Sequence, residues 1–199
     1  MKLIYSQASP YARKVRACAI ALGIDRQIEL VEADVADPPD WLLAANPLGR
    51  VPTLIAEDGF AIFDSAVICE YLNGSAEFLP IVPPSGAARW LCLRLEALGD
   101  GLMDAAVSLR QVQGSGMLPA EHPLARRHLG AIERTLDHLE KSRPAQHVDV
   151  GTISIACALG YLDLRFPAMQ WRATHPQVAS WHAQISRHAC LSETAPQLA

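Results

Sequence analysis

The 199-residue chain changes texture at residues 74–85, GSAEFLPIVPPS, which carry three prolines and no helical period. Proline fixes φ and lacks a backbone N–H, so neither a long helix nor a central strand passes through such a stretch. The segments on either side must each bury an apolar face of their own. This places a first domain at residues 1–76, a linker at 77–85 and a second domain at 86–199.

Before the break, short strands alternate with helices. Lys2–Tyr5 reads as a strand, and Pro10–Leu22 as a helix with Ser9 at its N-cap, Pro10 at its first position and Gly23 as its stop. Gln27–Glu32 alternates as a second strand, and Asp37-Pro38-Pro39 opens a short helix through Trp41 to Ala45. Thr53–Ala56 and Ala61–Phe63 flank the turn Glu57-Asp58-Gly59, a hairpin signal. Asp64 or Ser65 then caps a helix reaching Leu72, which Asn73-Gly74 should end. The order β-α-β-α-β-β-α predicts a mixed four-stranded sheet with helices on its faces.

After the break the periodicity is helical throughout. Arg89–Val112 carries leucines at 91, 95, 98, 102 and 109 on one stripe. Glu121–Glu140 is a more polar helix, Val150–Arg165 is apolar nearly all round and therefore central, and Pro176–His188 is the last clear one. The second domain is expected to be an all-α helical bundle.

Composition narrows the function. Half the residues are hydrophobic, 19% are charged and the net charge is −4. A substantial core is expected, and broad electrostatic capture of nucleic acid or an anionic membrane is not. The thirteen residues Val150–Leu162 fall short of the roughly 20 that span a bilayer. The start, MKLIYSQASP, has too short an apolar run for a secretion signal. Five cysteines without a C-x-x-C pair suggest free thiols in a reducing, cytoplasmic setting. The seven histidines show no ligand spacing, so no metal site is expected.

Three segments carry the chemistry. Ser9-Pro10-Tyr11-Ala12-Arg13-Lys14-Val15-Arg16 opens a helix directly after a strand, where unpaired N–H groups and the positive helix end favour an anion. In Asn46-Pro47-Leu48-Gly49-Arg50-Val51-Pro52-Thr53-Leu54, a cis Val51–Pro52 bond would turn the Val51 N–H and C=O outward, free to pair with an extended peptide. Asp64-Ser65-Ala66-Val67-Ile68-Cys69-Glu70-Tyr71-Leu72 puts an acid and a hydroxyl at another helix start, suited to an α-amino-acid head.

In this order and spacing the segments resemble the glutathione transferase family, in its bacterial serine type. Asp149-Val150-Gly151-Thr152 followed by Ile153–Leu162 resembles that family's capped central helix, so the likeness covers essentially the whole chain. The resemblance implies a thioredoxin-like first domain and glutathione as co-substrate. It implies that Ser9 contacts the thiol, that Val51 and Pro52 pair with the cysteinyl backbone, and that Asp64 and Ser65 hold the γ-glutamyl end. Arg50 falls where a basic residue reaches the glycine carboxylate. Tyr11 and Asp104 are expected at the pocket; Asp100 and Asp104 share one helix face at i, i+4, and one of them is expected to meet the γ-glutamyl ammonium. A homodimer and a small hydrophobic electrophile as partner are also implied.

The expected activity is transfer of a Ser9-stabilised thiolate to that electrophile. Glutathione-dependent peroxidase or isomerase work and a non-catalytic binding or regulatory role are the alternatives. Two departures qualify the likeness. No second serine or cysteine stands at the first helix start, which disfavours maleylacetoacetate isomerase and thiol-exchange members. Thr152 replaces the usual acid at the central helix cap, so the reciprocal half of that capping box should be weak.

Overall fold

The computed structural model describes residues 1–75, 80–114 and 122–196. The first part is built from β1 (Lys2–Tyr5), α1 (Pro10–Ala21), β2 (Glu29–Glu32), α2 (Asp40–Ala45), β3 (Thr53–Ile55), β4 (Ala61–Ile62) and α3 (Ser65–Ser75). Its sheet runs β2-β1-β3-β4, with β1 and β2 parallel and the other pairs antiparallel. Leu3 pairs with Leu54 across the antiparallel ladder, and both are fully buried. This is the mixed four-stranded, thioredoxin-like arrangement that the alternation and the resemblance lead one to expect.

The second part is helical: α4 (Gly86–Gly114), α5 (Pro123–Lys141), α6 (Val150–Arg165), α7 (Trp171–Thr174), α8 (Pro176–Ile185) and α9 (Ala189–Ser192). α6 is the centre, with residues 150–162 all buried. It packs on α1 from one side and on α4 from another, so one apolar cluster runs from the sheet into the bundle.

The α4–α6 crossing is close because of two glycines. A Cβ on Gly99 would stand 2.7 Å from the Ser154 carbonyl carbon and the Ile155 nitrogen, and one on Gly151 would stand 2.6 Å from the Cys92 oxygen. Such separations are well inside van der Waals contact, so only hydrogen fits at either place.

Several boundaries differ from the sequence reading. α3 continues through Asn73-Gly74 to Ser75, because the Asn73 side chain accepts from the Val82 N–H at 3.1 Å instead of breaking the helix. The start of the expected linker, 77–79, lies outside the described residues. Its later part packs inward: Ile81 and Val82 are buried, and the Ile81 carbonyl accepts from Val150 N–H at 3.0 Å. β2 starts at Glu29 because Asp25–Gln27 forms a 3-10 turn. α4 begins at Gly86, three residues before Arg89, and the expected start of α5 at Glu121 lies outside the described residues.

The capping box of α6 is complete, against expectation. Thr152 N–H donates to Asp149 Oδ1 at 2.7 Å, and Asp149 N–H donates to Thr152 Oγ1 at 2.9 Å. A hydroxyl oxygen accepts as an acid would, and Thr152 in turn donates to the His147 or Asp149 carbonyl.

Candidate functional site

Ser9 caps α1 from an extended backbone conformation. Its Oγ accepts from Ala12 N–H at 3.2 Å and its carbonyl accepts from Arg13 N–H at 3.0 Å. Pro10 brings no N–H, which leaves the Tyr11 N–H open at the helix start. Because Oγ is used as an acceptor, the hydroxyl hydrogen stays available to donate.

The second segment is tied down by a buried asparagine that the sequence reading quoted but did not single out. Asn46, 1% exposed, donates from Nδ2 to the Arg50 carbonyl at 3.1 Å and to Thr53 Oγ1 at 3.0 Å. Its Oδ1 accepts from Leu48 N–H at 3.0 Å, and Thr53 Oγ1 donates to the Arg50 carbonyl. These bonds fix the turn that delivers Val51, whose peptide bond to Pro52 is cis. No hydrogen bond among the described residues engages the Val51 N–H or C=O. The Arg50 side chain is exposed.

Asp64 stands before α3 and accepts from Ala66 N–H at 3.1 Å through Oδ1. Ser65, 4% exposed, begins the helix. All three segments open on one cleft of about 830 Å³. Its lining includes Ser9, Tyr11, Arg50, Val51, Pro52, Asp64, Ser65 and Asp104, so every residue singled out for the site stands on the same cavity.

The helical side brings a charged group that the sequence left unread. Lys14, fully buried, donates to Asp100 at 2.7 Å and to Glu96 at 3.2 Å. Asp100 also accepts from Ser154 Oγ at 2.7 Å and reaches the cleft. Burial disfavours the Lys14 ammonium, but Cys69 and the two carboxylates around it carry the net direction upward. Burial raises Glu96, against the pull of Lys14. Lys14 had been visible only as part of a polar helix start; nothing in a single sequence marks a lysine as buried.

Tyr11 and Tyr5, the tyrosines nearest Ser9 in sequence, are placed differently from it. Tyr11 donates its hydroxyl to Asp104 Oδ1 at 2.5 Å. Burial and that bond push its ionisation far upward, so the phenol stays neutral. Tyr5 packs on the core beneath Arg16, whose guanidinium lies 5.4 Å from the ring centre.

The five cysteines are free and buried. Burial pushes the Cys92 and Cys157 thiols up to about 11, and Cys18 and Cys190 also rise, so these four are poor nucleophiles. Among the described residues no group of three His, Cys, Asp or Glu side chains is placed to hold a metal, and no helix is long and apolar enough to cross a membrane.

A fold of this kind with this cleft defines a class, and comparison with known proteins agrees. Residues 8–74 match the glutathione S-transferase N-terminal domain family. The uncharacterized GST-like protein YibF of Escherichia coli K12 is 32% identical over 203 residues, covering 98% of both chains. The chain belongs to the glutathione transferase family. A glutathione transferase family member from Pseudomonas fluorescens Pf-5, solved with bound glutathione, superposes with a TM-score of 0.92 at 37% identity over 99% of each chain. A second Pf-5 structure, with S-(propanoic acid)-glutathione bound, gives 0.88 at 36% identity over 100% of each.

Proposed function

We propose that the protein binds glutathione in this cleft, holds it as the thiolate through the Ser9 hydroxyl, and transfers it to a small electrophile. The observation that carries this reading is the Ser9 hydroxyl itself. Its oxygen is spent on Ala12 N–H, its hydrogen is free, and it shares a cavity with Val51-Pro52 and Asp64-Ser65. The unengaged Val51 N–H and C=O suit the cysteinyl backbone by strand addition. Asp64 and Ser65 suit the γ-glutamyl head, and Arg50 the glycine carboxylate. The thioether bound by the Pseudomonas relative is what conjugation yields, which favours transfer over peroxidase work.

The energetics are adequate. A free thiol titrates near 8.5, and lowering that to about 6.5 takes roughly 2.7 kcal/mol of preference for the thiolate. A hydrogen bond to a charged acceptor contributes about 1.5–3 kcal/mol, and a helix N-terminus about 0.3–1 kcal/mol. No separate base is required. Ser9 donates a hydrogen bond, and the nucleophile is glutathione's sulfur.

The test is retention on immobilised glutathione, then turnover of an activated aryl halide across pH. Ser9→Ala should lose about one to two decades of kcat/KM at neutral pH, the worth of one charged hydrogen bond, and recover most of it at high pH. Equal kcat/KM for the two proteins near pH 6.5, the acid side of a free thiol, overturns the role of Ser9. Absence of retention favours a binding or regulatory role, and preference for an organic hydroperoxide over the halide favours peroxidase work.

A further inference from the structure

The part of the cleft wall that comes from α4 and α6 consists of Asp100, Asp104, Val107, Ser108, Gln111, Tyr161 and Arg165. Val107 is its only aliphatic side chain among the described residues. The large apolar groups nearby in sequence, Met103, Leu109 and Trp171, are 0%, 3% and 2% exposed and belong to the core. On this described part of the wall polar groups outnumber aliphatic ones, so polar recognition of the electrophile is available there.

The charges on this wall are unevenly matched. Asp100 shares the Lys14 ammonium with Glu96, and Asp104 receives the neutral Tyr11 hydroxyl and keeps its charge. Lys14, Arg89 and Arg172 each meet a carboxylate, at 2.7, 2.8 and 2.7 Å. Arg165, on the cleft wall, meets none among the described residues. Its Nε is buried without a hydrogen-bond partner, which places the side chain's stem inside the protein. Arg165 and Arg110 both bear on the Tyr161 phenol, against the burial that raises its ionisation, so two cations flank it. A guanidinium without a counter-ion beside a phenol that can donate is a receptor for a planar carboxylate.

We propose that the electrophile carries a carboxylate close to the carbon that sulfur attacks, and that Arg165 is the specificity-determining residue that seats it. This rests on the transferase reading above and names its substrate class.

A matched pair of probes tests it: iodoacetate and iodoacetamide, alike in size and differing in charge. In each reaction the thiolate sulfur forms a C–S bond to the iodine-bearing carbon as the C–I bond breaks. Iodide leaves with the bonding pair, and nothing else is consumed. The readout is kcat/KM divided by the uncatalysed rate constant for each probe, then the ratio of iodoacetate to iodoacetamide. The wild type should favour iodoacetate by about tenfold to a hundredfold, the range of one charged hydrogen bond. Arg165→Gln should collapse that ratio toward one, and Arg165→Lys should restore part of it, with folding of both variants checked by glutathione binding. A wild-type ratio near one, or a ratio unmoved in Arg165→Gln, overturns this inference and leaves the transferase reading standing. Acceleration of neither probe, nor of the aryl halide, overturns both.

Discussion

Lys14 shows how one side chain joins the cleft to the interior. It is fully buried and shared between Asp100 and Glu96, so removing its charge strands two carboxylates in a low-dielectric setting. Lys14→Met should cost about 3–5 kcal/mol in urea unfolding, the usual penalty for breaking one side of a buried pair. Adding Asp100→Asn and Glu96→Gln should return part of it. His182 makes a second prediction. It is 6% exposed, accepts at Nδ1 from Arg172 at 2.7 Å, and so carries its hydrogen on Nε2 toward the Ala156 carbonyl at 3.1 Å. Burial first, then the Arg172 charge, pushes its pKa down to about 4. Unfolding lets the ring take up a proton, so its contribution is intact above about pH 6.5 and is lost as pH falls toward 4. The loss should approach about 3 kcal/mol, and His182→Gln should flatten the stability–pH curve in that window. At this scale the sequence was readable where chemistry tracks local spacing. Ser9, Val51, Pro52, Asp64 and Ser65 all announce themselves as caps or turns. Lys14 and His182 do not, because burial and partnership across the chain, over more than eighty positions for Lys14 and Asp100, leave no local signature.

Among the elements, α4 and α6 set the geometry of the second half. Their approach depends on Gly99 and Gly151, each facing backbone of the other helix. Gly99→Ala should destabilise by about 1–3 kcal/mol despite alanine's better helix propensity, since the clash is with main chain that cannot rotate away. Thermal unfolding would show it, and an unchanged or raised Tm would contradict the close packing. Thr152→Val keeps the shape but removes the reciprocal cap of α6 and should cost about 1 kcal/mol. Strand and helix identities were legible from period and punctuation. The ends of α3 and β2 were not, because Asn73 and Asp25 are turn formers that tertiary and local hydrogen bonding put to other uses. The completeness of the α6 cap was also missed, since a motif written for acids hides the accepting power of a hydroxyl.

For the molecule as a whole, the exposed apolar side chains on the outer faces of α3 and α4 suggest a second copy as the family-typical partner. Trp90, Leu91 and Val67 are 69%, 57% and 53% exposed, and Arg89 joins Glu70 between the same two helices at 2.8 Å. Light scattering should give about twice the 21.6 kDa of one chain, and Trp90→Glu should shift the mass toward one. The ion cluster beneath the cleft has a consequence for how such a protein can diversify. Asp100 is at once floor of the cavity and counter-charge to an interior lysine, so a change there taxes the stability of every descendant. Ser108 and Gln111 line the same cavity from the far turns of α4 without belonging to that cluster. New substrate preferences should therefore accumulate at those two positions and at Arg165, while the floor stays as it is.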